Sequence, residues 1–140
     1  MITREDMYDF MEEMQKEVKA QRQDIMSMVR EFATVMNQKP RPNMASKLIN
    51  EEFQEWHEVW ICAPLNEEGD KAELKELADL VYVIYGYANV MGWDLDEAVR
   101  RVHKNNLERC IQPDGSVKYR DDGKVMKREN PPKVDLSDLV

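Results

Sequence analysis

Residues 73–90 read ELKELADLVYVIYGYANV. Wound as a helix at about 100° per residue, they place Leu74, Leu77, Ala78, Val81, Tyr85 and Ala88 on one face. Leu80, Val83, Tyr87 and Val90 fall on a second, roughly opposite face. A helix apolar on two sides needs cover on two sides, so this one is central. The spacing predicts a helix over 71–91, opened by a capping-box-like pair, Asp70 and Glu73, and closed by Gly92. Glu76 and Asp79 begin the second face one turn before it becomes apolar. Three apart on a helix, they point the same way.

Upstream, Pro40 and Pro42 mark a boundary, Asn43 is a cap, and Pro64 ends a predicted helix over 44–62. Its apolar stripe is Ala45, Leu48, Ile49, Phe53, Trp56, Val59 and Trp60. Glu52 falls inside that stripe and Glu55 at its edge. A lone carboxylate there is costly to bury unless it is protonated, paired or bound to metal. The plain alternative is an acid at the margin of a stripe drawn too wide. Two neighbouring helices thus each offer an acidic pair, Glu52/Glu55 and Glu76/Asp79, toward a shared interior. Crowded carboxylates repel, and a hard divalent cation with oxygen ligands relieves them; Mg²⁺ fits, with Mn²⁺ as a substitute. In a chain with 28 Asp and Glu, one such pair carries little weight. Two pairs on adjacent apolar faces carry more. A di-iron bundle needs Glu-x-x-His on two helices, but Gln54 and Arg100 precede His57 and His103. Zinc lacks clustered His and Cys.

Asp94 and Glu97 open a predicted helix over 95–110, with Leu95, Ala98, Val99, Val102 and Cys110 as its inner stripe. Asn106 and Arg109 fall within that stripe, and His103 and Asn105 at its margins. An inward Arg and Asn near an acidic metal cluster suit a triphosphate. A helix-end Asn bonded to backbone is the plain alternative, and His103 reads first as a surface histidine. Beyond Ile111, Asp114-Gly115 and Asp122-Gly123 mark turns, with Val117, Tyr119 and Val125 alternating weakly, so a small hairpin or ordered loop is expected. At the other end, residues 4–37 read as one long helix capped by Thr3. Its stripe includes Met7, Phe10, Met11, Met14, Val18, Ile25, Met28, Val29 and Phe32. The apolar-poor stretch 15–24 is the place for a kink or break.

The 140 residues make one domain, 1–140, all-α, with a four-helix core, a long N-terminal helix and a short C-terminal hairpin or loop. Hydrophobic residues make up 42%, enough for a core. The net charge of −8 argues against a nucleic-acid partner, which needs basic surface. Residues 98–133 nonetheless carry ten Lys and Arg against five acids, a local +5 that leaves −13 elsewhere. An acidic body with a basic arm can take a cation at one and an anion at the other. No apolar run reaches membrane-span length and no signal pattern is present, so no membrane partner is expected. Cys62 and Cys110 make no disulfide framework, so a cytoplasmic setting is the default. A homodimer at least is expected, because a small domain has few ways to cover both faces of its central helix.

The acids resemble a known signature. Glu51-Glu52-Phe53-Gln54-Glu55 followed by Glu76-Leu77-Ala78-Asp79 is similar to the EExxE…ExxD pattern of the all-α NTP pyrophosphatase superfamily, which includes MazG-like and phosphoribosyl-ATP pyrophosphohydrolase-like proteins. The run ELADLVYVIYGYANVMGWDLDEAVRRVHKNNLERC at 76–110 resembles the latter branch. So do DGSVKYRDDGKVMK at 114–127, VREF at 29–32, PRP at 40–42 and LINEEFQEW at 48–56. The likeness runs over about residues 28–135; residues 1–27 are an N-terminal helical extension outside it, and 111–140 are a basic tail that it largely includes.

The resemblance implies that Glu52, Glu55, Glu76 and Asp79 hold Mg²⁺, with Glu51 an added ligand or water-activating group. It implies that Asn106, on the predicted 95–110 helix, is the family's asparagine and that Lys104, Arg109, Lys124 and Lys127 meet phosphates. Arg109 stands where the family pattern leads one to expect Lys. It implies helical homodimers or dimers of dimers with the site at or near the subunit interface. The function expected is Mg²⁺-dependent hydrolysis of an NTP or dNTP to the monophosphate and pyrophosphate. Metal would neutralise phosphate oxygens, Glu51 or Glu55 would take the proton of the attacking water, and basic groups would steady the leaving pyrophosphate. Trp56 and Trp60 could stack on a base, though core packing suits at least one of them. A non-catalytic dimerisation scaffold and a nucleotide sensor are the alternatives.

Overall fold

The computed structural model describes residues 3–20 and 23–140. At its start Thr3 and Asp6 cap each other. The Asp6 N–H donates to Thr3 Oγ1 (3.2 Å) and the Thr3 N–H to the Asp6 carboxylate (2.8 Å). They head α1, Arg4–Ala20. A second helix, α2, spans Ile25–Val35 because Asp24 caps a new N-terminus, accepting from the Ser27 N–H at 2.7 Å. The span 4–37 is therefore two elements, α1 ending and α2 beginning at the apolar-poor stretch 15–24 named as the place for a kink or break. Residues 21 and 22 between them, and the side chain of Val18 from the expected stripe, lie outside what is described. After Val35 the chain turns at Asn37, which adopts the left-handed conformation (φ 49°) that asparagine tolerates better than most residues.

Helix α3, Pro42–Cys62, starts one residue ahead of its expected cap, with Pro42 in the first turn, where proline loses no hydrogen bond. Helix α4 spans Glu67–Met91, four residues earlier than expected. The physical reason is that Asn66, not Asp70, caps it, accepting from the Gly69 N–H at 3.0 Å. Gly69 is buried, and a Cβ there would lie 1.8 Å from the Pro64 carbonyl oxygen, so the α3–α4 turn closes only around glycine. Gly92 ends α4 in the left-handed conformation (φ 73°), as the sequence requires. Asp94 caps α5, Leu95–Cys110, through the Glu97 N–H (3.0 Å).

The extensive helix pairs are α3 with α4 and α2 with α4. On α3 the half-buried positions are 45, 49, 52, 56 and 59, with 63 just past its end; on α4 they include 73, 76, 80, 83, 87 and 90. Both series step by threes and fours, the mark of a helix-helix seam. Met26 and Val29 of α2 close on Tyr85 and Ala88 of α4 to form the buried apolar cluster. Tyr85 also donates through its hydroxyl to Asp96 (2.9 Å), tying α4 to the first turn of α5. The tail returns along α5. The Arg128 N–H donates to the Arg109 carbonyl (2.7 Å). Arg101 forks onto both oxygens of Asp138 (2.5 and 2.8 Å), holding a 3-10 turn at Ser137–Leu139. The expected hairpin is reduced to two isolated antiparallel bridges, Ile111 with Val117 and Tyr119 with Val125, over the two Asp-Gly turns. Among the described residues the protein is all-α, with five α-helices and no strand, and no helix is long and apolar enough to cross a membrane.

The cover is thin. The chain exposes 11775 Å², whereas a folded monomer of 16.5 kDa exposes about 7,500 Å². Both faces of α4 show it: Leu74 is 68% exposed, and Leu80, Val83, Tyr87 and Val90 are only half-buried.

Candidate metal centre

Glu52 occupies a seam position of α3, with Ile49 and Trp56 one turn either side also half-buried. Across the seam Glu76 and Asp79 come from α4. One carboxylate oxygen from each of the three lies within 4.8 Å of the other two. The geometry follows from the antiparallel pairing set by the Pro64–Gly69 turn, which brings the middle of α3 opposite the first half of α4. Glu52 Oε2 and Glu76 Oε2 are both shut off from solvent and lack a hydrogen-bond partner. Buried acceptors without donors are costly, and two of them on carboxylates that converge make an arrangement that a cation completes. Burial pushes the Glu52 carboxyl above its ordinary range, helped by the charges of Glu55, Asp79 and Glu76. The donor set is all oxygen, which suits Mg²⁺ or Mn²⁺ and not a thiophilic or imidazole-seeking ion.

The four acids singled out in the sequence are not equivalent. Glu55 is exposed and lies outside the three-oxygen cluster, though close enough to act on Glu52. Glu51 is exposed on α3. A cation already borders the cluster: Lys75 Nζ lies 2.7 Å from Asp79 and 3.4 Å from Glu76. This contact was missed, although the spacing of Lys75 and Asp79, four apart on one helix, announces it. Trp56 is half-buried with its indole N–H unpaired, stacked on the exposed Trp60 (ring centroids 6.2 Å).

The basic residues gather elsewhere. Arg109 and Lys127 line a pocket of about 590 Å³ together with Asn105 and Lys133. The Nε atoms of Arg109 and Arg128 are buried without an acceptor. Asn105, placed at the stripe margin by the sequence, lines the pocket, while Asn106 is exposed. Lys124 is exposed, and Lys104 is exposed beside Glu108 (3.9 Å). Lys133 and Arg128 were not singled out as site residues; Lys133 follows a bend at Glu129–Asn130, where Asn130 adopts the left-handed conformation (φ 49°). Such a pocket offers an anion several uncompensated donors.

A groove of about 700 Å³ runs from Glu52 and Asp79 between α2, α3 and α4 toward the α2–α3 turn. Residues 7–106 match the family described as PRA-PH, phosphoribosyl-ATP pyrophosphohydrolase. No curated protein matches the chain.

Proposed function

The chain belongs to the phosphoribosyl-ATP pyrophosphohydrolase family, a family of hydrolases acting on phosphoric anhydride bonds, and we propose that it hydrolyses a nucleoside triphosphate, ribo or deoxy, to the monophosphate and pyrophosphate. The observation that carries this reading is the convergence of Glu52, Glu76 and Asp79 within 4.8 Å, with two of their oxygens buried and unpartnered. These three residues would hold the cation, with Glu55 at the rim. Mg²⁺, or Mn²⁺ in its place, supplies charge neutralisation at phosphate oxygens and a more acidic water.

The chain's own groups supply the rest. Glu55, or Glu51 beside it, accepts the proton of the water that attacks the α-phosphorus. The α–β anhydride bond breaks and its electron pair leaves on pyrophosphate. Arg109 and Lys127, with Lys104, Lys124 and Asn106, bind the phosphates and take up charge developing on the leaving group. Trp56 stands next to the cluster on α3, one turn beyond Glu52. The acid cluster and the basic pocket share no lining residue within one chain. In this proposal they meet across a homodimer interface, or within a dimer of dimers, which also covers α4 at Leu74, Leu77 and Val81, exposed positions outside the groove beside Glu52 and Asp79. The setting proposed is the cytoplasm, where the free thiols of Cys62 and Cys110 remain reduced.

Pyrophosphate release from NTPs, dNTPs and phosphoribosyl-ATP, with and without Mg²⁺, tests the reading. Metal-dependent release from at least one of them is expected. Binding without release would leave a nucleotide sensor, and neither would leave a helical scaffold.

A further inference from the structure

Gly86 sits in the interior of α4, where glycine is the least favourable residue after proline. No contact among the described residues explains it. Its backbone is ordinary helix, outside the positive-φ region, and a Cβ built there meets nothing within 4 Å. The space such a Cβ would enter is the groove that opens at its other end onto Glu52 and Asp79. Its lining is mostly apolar, with polar residues set among the apolar ones. Phe32 and Tyr82 meet edge to face, with centroids 6.0 Å apart. Asn37, Gln38 and Asn89, three residues with amide side chains, are also in the lining. Asn89 is three residues beyond Gly86 and so lies on the same side of α4. Gly86 is seven residues beyond Asp79, about 10 Å along the helix at 1.5 Å per residue. A cation, a phosphate and a ribose in series bridge that distance.

We propose that the groove over Gly86 seats the nucleobase of the substrate, with Gly86 setting its depth and Asn89 reading the polar edge of the base. The ligand class is a nucleoside 5′-phosphate with a planar, hydrogen-bonding base. The inference rests on the nucleotide reading above and adds the residues that decide which base is accepted. An apolar groove alone would suit a second copy of the chain equally well. Three amide-bearing residues in the lining and the continuity of the groove with Glu52 and Asp79 favour a base.

Binding of the four common nucleoside 5′-monophosphates to the full chain, measured by calorimetry without catalysis, tests this. Inorganic tripolyphosphate with Mg²⁺ serves as the base-free probe. Gly86→Leu should weaken binding of the preferred monophosphate at least ~10-fold, with tripolyphosphate affinity unchanged. Gly86→Ala should cause a smaller loss and hold or raise the melting temperature, since alanine favours helix. Asn89→Asp should reorder the preference among bases, because it exchanges a donor for an acceptor. Wild-type protein that binds no monophosphate, or equal binding by wild type and both Gly86 variants, overturns the proposal. So does a Gly86→Leu loss accompanied by a change of molecular mass in light scattering, which would make the groove a subunit interface. If no triphosphate releases pyrophosphate but the monophosphate losses appear as stated, the hydrolysis reading fails and the base seat stands.

Discussion

Lys75 and Asp79 form the closest ion pair of the acid cluster, Nζ to Oδ2 at 2.7 Å, and the same ammonium reaches Glu76 at 3.4 Å. The hydrogen bond to Asp79 and the charge of Asp79, with smaller effects from Glu76, raise the Lys75 pKa. A protonated lysine thus partly answers the carboxylates' demand for positive charge and competes with any cation for the same oxygens.

Lys75→Met should therefore tighten Mn²⁺ binding several-fold in calorimetry at low salt. The gain should shrink as salt is added, because the lysine is exposed and its field is screened. Unchanged or weaker Mn²⁺ affinity would place the cation away from Asp79.

Asp79→Asn keeps the side chain's shape and removes one negative charge. Pyrophosphate release should fall at least ~100-fold, the scale of losing an important electrostatic element. The melting temperature of the metal-free protein should hold or rise, since repulsion with Glu52 and Glu76 is relieved. Unfolding on this substitution would instead make Asp79 a structural residue.

Glu52 gives the pH test. Its pKa is raised above 4.5, first by burial and then by neighbouring acids, so the folded state holds its proton more tightly than the unfolded state does. The stabilisation from that proton is complete below the unfolded value and is lost as pH rises through the folded pKa. In chelator, wild type should lose melting temperature relative to Glu52→Gln as pH climbs from about 4 toward neutrality. Adding Mg²⁺ at neutral pH should return the loss to wild type and not to the variant. Parallel curves for the two proteins across this range would contradict the burial of this carboxyl.

Assembly is the fourth expectation. The chain shows some 4,000 Å² more surface than a monomer of its mass should, far beyond the about 800 Å² that each partner hides in an interface of standard size. Light scattering at micromolar concentration should give a dimer or tetramer, and the melting temperature should rise with protein concentration. A monomer with a concentration-independent melt would refute it.

Much of this was legible in residue spacing. Glu52, placed inside an apolar stripe by its period alone, is a seam residue, and Gly92 and Asp94 end one helix and start the next as read. The misreadings have local causes. Asn66 outcompetes Asp70 as a cap because the close approach of Gly69 to Pro64 makes the earlier start geometrically available, and no periodicity reports a backbone contact. The break at the apolar-poor stretch 15–24 was legible, but not its cap: Asp24 starts α2 through a bond at one residue, while the apolar stripe runs on across it. Asn105 and Asn106 differ by a single step of the wheel, and the tail that folds over α5 decides which one lines the basic pocket.

The turn closed by Gly69 also bears on how quickly the site comes into being. Four residues separate α3 from α4, so their pairing incurs little loop-closure entropy and is the most local of the long helix contacts. Both halves of the acid cluster lie in that hairpin. The carboxylates are thus brought face to face at the start of folding, before α2 and the tail can settle around them. Their repulsion acts on the folding rate itself, and a divalent cation present during refolding should speed the forward reaction as well as slow the reverse.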